Sequence, residues 1–212
     1  MEEIRTMPKP DWISWDDIHE LLMAAHKKNI AKGMAMKIPQ LSGEELKQKI
    51  GEKGRCFVAL ANEKLVGTTS VSFYQGKSWY DKDKLVAHSM LSAVLPKYQG
   101  IGITDDLNVL RDAYIREMGV DLIQGDTAED NLVVRKNAKR NGFHEVEYHA
   151  YQSNHYSVLF VKWLNGCPFS EKYISRRCKI SKFLVKTQYK PGRIERSRLL
   201  SMFCNAIRKI VF

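Results

Sequence analysis

The chain has 212 residues, 44% of them hydrophobic and 27% charged, a balance that excludes collagen-like, disordered and membrane-spanning classes for its bulk. Its 34 Lys and Arg against 24 Asp and Glu give a formal charge of +10. That charge is local: residues 167–212 hold 12 of the basic residues and only Glu171 and Glu195 of the acidic ones, so the preceding 166 residues are neutral and carry no general signature of a polyanionic substrate. No apolar run approaches the about 18 residues that a bilayer requires. The acidic start Met1-Glu2-Glu3 lacks the basic-then-apolar order of a secretory signal, and a cytoplasmic location is expected. Cys56, Cys167, Cys178 and Cys204 are scattered without a Cys-x-x-Cys pair, which points to reduced thiols rather than a zinc site or a disulfide framework.

Ser14 followed by Asp17 has the form of a capping box, and Ile18, Leu21, Leu22 and Ala25 recur at helical spacing, predicting a helix over 15–31. Ser42 with Glu45 repeats the signal ahead of Leu46 and Ile50, and Gly51 and Gly54 punctuate the end of this shorter helix. From Cys56 the period changes: Phe57–Leu60 and Leu65–Phe73 are β-favouring runs joined by Asn62-Glu63-Lys64, the pattern of a hairpin. A strand from Leu85 to Leu95 stops at Pro96, and a helix from Thr104 to Met118 carries Leu107, Leu110 and Tyr114 on one side. Asp121–Ile123 is a short strand, and Asn131–Arg140 a helix stopped by Asn141-Gly142. Strands Glu145–Gln152 and Tyr156–Leu164 follow. The sum is an α+β domain over residues 1–165 with one central sheet. After Asn165-Gly166 a basic extension begins, and Arg196–Phe212 has the pattern of an amphipathic helix.

The segment richest in chemical information runs from Leu91 to Thr104: an apolar strand, then Pro96-Lys97-Tyr98-Gln99-Gly100-Ile101-Gly102-Ile103-Thr104, then a helix. Small residues at a strand-to-helix turn leave backbone N–H groups open, and the helix N-terminus adds partial positive charge, so such a turn can cradle phosphate oxygens. It lacks the Gly-Lys-Ser/Thr of a P-loop and the full Gly-x-Gly-x-x-Gly of a dinucleotide site.

Gln99, Gly102 and the step Pro96-Lys97-Tyr98 resemble the acyl-CoA loop of the GNAT superfamily of N-acetyltransferases, Gln/Arg-x-x-Gly-x-Gly/Ala, with Thr104 where that pattern has Gly or Ala. Asn131, eleven residues before Gly142-Phe143, is similar to the family's Asn-bearing helix that ends in Gly-Phe. The resemblance covers roughly residues 12–164. It implies a mixed, mostly antiparallel sheet, flanked by helices and splayed open between the strand ending near Leu95 and the strand near Leu122. Acetyl-CoA or another acyl-CoA would lie there as co-substrate, its pantetheine arm pairing with the backbone of Ala93, Val94 and Leu95. Gln99, Gly100, Ile101, Gly102, Ile103 and Thr104 would hold the pyrophosphate, and Asn131 the pantetheine arm. Lys136, Lys139 and Arg140 stand where they could face phosphates or simply water.

The implied reaction is N-acyl transfer to an amine, directly within a ternary complex. It needs a base, oxyanion donors and an acid for the CoA thiolate. Backbone N–H groups near Val94 can serve the oxyanion. Where the family often has a glutamate base this chain has His88, an imidazole that could take the proton directly or through water; a strand histidine bonded to backbone is the competing reading. The family's tyrosine acid falls at Ala138, and Tyr148 or Tyr151 could substitute. His144, His149 and His155 lack an accompanying acidic ligand pattern, and no metal is assigned. Trp12, Trp15, Trp79, Tyr80, Asp81 and Asp83 are candidates for receiving a small-molecule or peptide amine. A second function class stays open: a catalytically weak acyl-CoA-binding module localised by its basic tail. For that tail three readings compete: a helix docked on the domain or on a second copy of the chain, a contact with an anionic membrane surface, and a phosphate contact with nucleic acid that no recognised reading motif supports.

Overall fold

The computed structural model describes residues 2–32, 38–75, 84–150 and 156–188. Trp79, Tyr80, Asp81, Asp83, Tyr151, His155, Cys204 and the expected helix Arg196–Phe212, with the docking and membrane readings attached to it, lie outside the described residues. The architecture is mixed α+β: seven strands, mostly antiparallel, follow the order β1-β2-β3-β4-β5-β7-β6. The chain divides into two compact units, residues 1–124 with 163–165, and residues 125–162 with 166–212. No helix among the described residues is long and apolar enough to cross a membrane.

The first unit opens with a strand absent from the sequence-based expectation, β1 (Ile4–Pro8), which pairs antiparallel with β2 (Arg55–Ala61). Five residues ending in proline give too short an alternation to read, and at the sheet's edge proline is tolerated because one side of the strand needs no N–H donor. Helix α1 (Trp15–Ala31) begins where predicted: Asp17 N–H donates to Ser14 Oγ at 3.0 Å while Ser14 N–H donates to Asp17 Oδ2 at 2.7 Å. The Ser42/Glu45 box does the same for α2 (Gly43–Ile50). Ile18 and Leu22 from α1 and Leu46 and Ile50 from α2 then bury against Cys56, Val58 and Leu60 of β2. The hairpin from β2 to β3 (Lys64–Gln75) turns at Asn62 and Glu63, whose φ of 47° and 64° are those of a type I′ turn matched to strand twist.

Strand β4 (Leu85–Val94) pairs antiparallel with β3, and this register assigns the faces. Cys56 faces Ser70, and Ser70 faces Met90, so Met90 stands on the side covered by α1 and α2, against whose cluster it packs. The opposite side receives α3 (Ile103–Glu117): Tyr114 meets the ring edges of Phe57 and Phe73, and Leu107 and Ile115 are buried.

The second unit holds the end of β5 (Leu122–Ala128), α4 (Leu132–Arg140), the antiparallel hairpin of β6 (His144–Ala150) and β7 (Tyr156–Trp163), and a helix that was not expected, α5 (Glu171–Gln188). Its buried face is Ile174, Arg177, Ser181, Leu184 and Val185, a helical spacing concealed in the sequence because two of the five residues are polar. Strand β6 ends the sheet, and α5 lies along it. Three of the extension's cations meet acids of the same unit: Lys182 and Lys186 bond Glu129 at 2.8 and 2.9 Å, and Arg177 lies 3.6 Å from Glu147.

Candidate active site

In the first unit, β4 leads through a tight turn at Pro96–Tyr98 to Gln99, Gly100, Ile101 and Gly102, and α3 starts at Ile103. Gly100 and Gly102 have φ of 85° and 95°, left-handed conformations that glycine adopts without strain. A Cβ added at either would meet nothing within 4 Å, so the loop's outer side is open. Among the described residues, the backbone N–H groups from Gly100 to Thr104 find no backbone acceptor. With the N-terminal end of a 15-residue helix behind them, they offer a run of open donors suited to an anion.

The loop is held in place from within. Gln99 folds back, its Nε2 donating to Val94 O at 2.9 Å, and Leu95 N–H extends the ladder to Val66 O at 2.9 Å. Ile103 is buried over Gly67, where a Cβ would come 3.2 Å from Ile103 Cγ2, so glycine lets the start of α3 seat on the sheet. Ala93 and Val94 pair with Thr68 and Gly67 of β3.

Two irregularities mark β4. Between the pairs Ser70–Met90 and Thr68–Ala93 there is a bulge, at which Leu91 takes a φ of 53°. An extra residue bends the strand and re-aims its neighbours, and a non-glycine residue in this conformation is held there by its surroundings. Thr69 Oγ1 and Ser92 Oγ share a hydrogen bond of 2.7 Å across the bulge. His26 of α1 bonds the backbone of Ser92, and burial lowers its pKa below the usual histidine value against that bond's opposing pull. The second irregularity is the parallel ladder to β5, which consists of Ala87–Ile123 and His88–Gln124 alone. Past His88, β4 has no register partner in β5 among the described residues.

His88 is half-buried, and the ring of Tyr74 meets it edge-on at 6.0 Å. Tyr74 donates its hydroxyl to Gln124 Oε1 at 2.6 Å. On the other face Arg111, 2% exposed, donates to Asp112 Oδ1 from Nε and Nη2 and to Ser89 Oγ from Nη1, tying α3 to β4 one residue after His88. Nothing in the spacing of the sequence singles out His26, Arg111 or Gln124. Tyr74 was legible in part, because Ser70, Ser72 and Tyr74 alternate polar groups along a strand whose helix-covered face should be apolar.

In the second unit, Asn131 caps α4: its Oδ1 accepts from Val134 N–H at 3.4 Å and its Nδ2 donates to Thr127 Oγ1 at 3.3 Å. Tyr148 is 4% exposed on β6, and burial raises its pKa despite the neighbouring Arg135 and Lys182. Its hydroxyl accepts from Arg135 Nη2 at 3.3 Å, and Arg135 is itself held by both oxygens of Glu145 at 2.8 and 2.9 Å. Ala138 lies within α4, its carbonyl taking the Phe143 N–H that closes the helix, while Lys136, Lys139 and Arg140 are exposed. Trp12 is 60% exposed, and Trp15 packs against the α1–α2 cluster. Among the described residues no group of three His, Cys, Asp or Glu converges as a metal site would need.

No family model matches the chain, and no curated protein sequence matches it. Solved structures do. The chain superimposes on the ribosomal-protein-S18-alanine N-acetyltransferase of Escherichia coli with a TM-score of 0.60 and 13% identity over 78% of this chain and 96% of that one. An acetyltransferase from Streptococcus agalactiae gives 0.59 and 18% over 77% and 100%. A GNAT family acetyltransferase from Elizabethkingia anophelis with acetyl-CoA bound gives 0.54 and 13% over 77% and 100%. At these identities the likeness is one of fold: this chain has the fold of the GNAT acetyltransferases.

Proposed function

We propose that the protein is an acyl-CoA-dependent N-acyltransferase, with acetyl-CoA as donor, that moves the acyl group to an amine directly within a ternary complex. The observation that carries this reading is the sequence of features along one strand: the ladder of β4 to β5 ends at His88, the strand bulges at Leu91, and it leads into an open glycine loop at the N-terminus of α3. Residues Gly100 to Thr104 would hold the pyrophosphate, with Gln99 bracing the loop from within, and the backbone of Ala93 to Leu95 the extended arm. The acetyl-CoA-bound Elizabethkingia structure supports this use of the fold.

Acyl-CoA supplies an activated thioester carbonyl. The work left to the protein is to orient it, stabilise the oxyanion and deprotonate the amine. Backbone N–H groups at the end of β4 are the oxyanion donors of this reading. His88 is the base, set at the point where the strands part and held against Tyr74. The S18-alanine N-acetyltransferase supports an amine on a peptide or protein as acceptor. Ala138, in the place of the family's tyrosine, favours one alternative: an acyl-CoA-binding module with little transfer.

Calorimetry with acetyl-CoA tests the reading. Binding is expected and should be lost in Gly102→Asp, which sets a carboxylate and a strained left-handed residue among the phosphate donors; absence of binding by the native chain overturns it. Thiol release from acetyl-CoA across a panel of amines, with His88→Ala as control, then separates enzyme from module, since rapid acceptor-dependent release rejects the module. Asn131→Ala and Tyr148→Phe in the same assay report whether either side chain takes part.

A further inference from the structure

Within the first unit, the register across β3, β4 and β5 aligns Ser72, His88 and Gln124, and Tyr74 follows Ser72 on the same side. This side also carries Met90, which packs against the α1–α2 cluster; α3 lies on the other, where Arg111 bonds Ser89. Gln124 is 3% exposed, and its amide has a fixed orientation because Oε1 accepts the Tyr74 hydroxyl at 2.6 Å. Its Nε2 is buried and finds no hydrogen-bond partner among the described residues. A buried donor left open beside a candidate base is the arrangement of a site that selects for an oxygen, because ligands that lack the oxygen leave the donor unpaired.

Resting on the acyl-transfer reading, we propose that Gln124 Nε2 donates a hydrogen bond to an oxygen that the acceptor carries beside its amine, which makes the acceptor an α-amino amide such as a peptide N-terminus. Neighbouring strands lie about 4.8 Å apart, so His88 and Gln124 address atoms only a few bonds from each other. An α-amino amide offers that pair, with the amine and the carbonyl oxygen on adjacent carbons. A simple alkylamine has no oxygen to offer, and the ε-amine of a lysine carries its nearest carbonyl too far along the side chain. Tyr74 acts as a positioning residue, because its hydroxyl holds the amide carbonyl and thereby turns Nε2 toward the acceptor.

The test compares alanyl-alaninamide with propylamine, each rate referred to the neutral amine. In Gln124→Leu the kcat/KM for the dipeptide amide should fall roughly 10- to 100-fold, while that for propylamine changes less than about threefold. Tyr74→Phe, which keeps the ring, should shift the selectivity in the same direction. Independently of turnover, the ¹⁵N side-chain amide signal of Gln124, assigned by its loss in Gln124→Leu, should move when dipeptide amide is added to the CoA-loaded protein and stay in place with propylamine. Equal effects of Gln124→Leu on both amines, or an unmoved signal, overturn the proposal. If the native chain acylates neither amine, the acyl-transfer reading fails on its own and the amide signal still decides the contact. If His88→Ala abolishes transfer while Gln124→Leu leaves the dipeptide rate intact, only the proposal fails.

Discussion

The hydroxyl of Ser181 stands against the backbone of Tyr148 on both counts: Oγ accepts the Tyr148 N–H at 3.0 Å and donates to the Tyr148 carbonyl at 3.3 Å. A helix side chain thus does for β6 what a further strand would do, satisfying the outward-facing groups of the sheet's last strand. Ser181→Ala should therefore cost about 1–3 kcal/mol, since it strands a buried donor and a buried acceptor. Urea unfolding should show the loss, amide exchange at Tyr148 should quicken, and Ser181→Thr should restore most of both. An unchanged denaturation midpoint for the alanine variant would mean that the strand is covered by other means.

This contact also bears on what could be read without coordinates. The capping boxes at Ser14 and Ser42, the Asn62-Glu63 turn and the glycine loop were legible because each is a local device with a residue-type requirement at fixed spacing. Helix α5 was not, because Arg177 and Ser181 occupy its inward face for reasons that lie on β6, 30 or more residues earlier in the chain. The site divides in the same way. Gln99, Gly102 and His88 are candidates from the family resemblance alone, whereas Tyr74 and Gln124 come together only through the register of three strands. A β-residue's neighbours across the sheet are invisible until pairing is known.

Arg111 and Asp112 form an ion pair in the interior of the first unit, 2% and 5% exposed, beneath the strand that carries His88. Removing one partner leaves a buried charge, so Asp112→Ala should destabilise by about 3–5 kcal/mol, far beyond a surface substitution. Replacing the pair together, Arg111→Met with Asp112→Leu, should cost less than Asp112→Ala alone. Thermal unfolding of the three variants measures the order. A double variant less stable than the single one would show that the Arg111–Ser89 bond, rather than charge compensation, is what matters there.

His26 makes stability depend on pH. Burial holds its folded-state pKa below the ordinary value of about 6.5, so the unfolded chain binds the proton more readily than the native one. Its contribution is therefore fully present above the unfolded value and is lost as pH falls through that value toward the lower folded one. His26→Gln, which cannot protonate, should flatten the stability profile between about pH 7 and pH 5. Chemical denaturation at stepped pH tests this. A slope identical to that of the native chain would reject the assignment.

The cysteines should divide by environment. The Cys178 thiol is pushed up to about 11, chiefly by burial and then by Glu145, and burial also raises Cys56. Thiolate is the reactive form, so both should resist alkylation at pH 8, whereas Cys167 is exposed on the segment leading into α5. In a Cys204→Ser background, iodoacetamide under native conditions should label Cys167 first, and mass spectrometry of the digest should find Cys56 and Cys178 free until denaturant is added. Because Cys178 lies on α5 next to Arg177, its reactivity reports whether that helix stays on β6. Labelling of Cys178 as fast as Cys167 would mean that α5 opens on the minute timescale. In that event the protection of Tyr148 by Ser181 should fail in parallel, so the two measurements check one another.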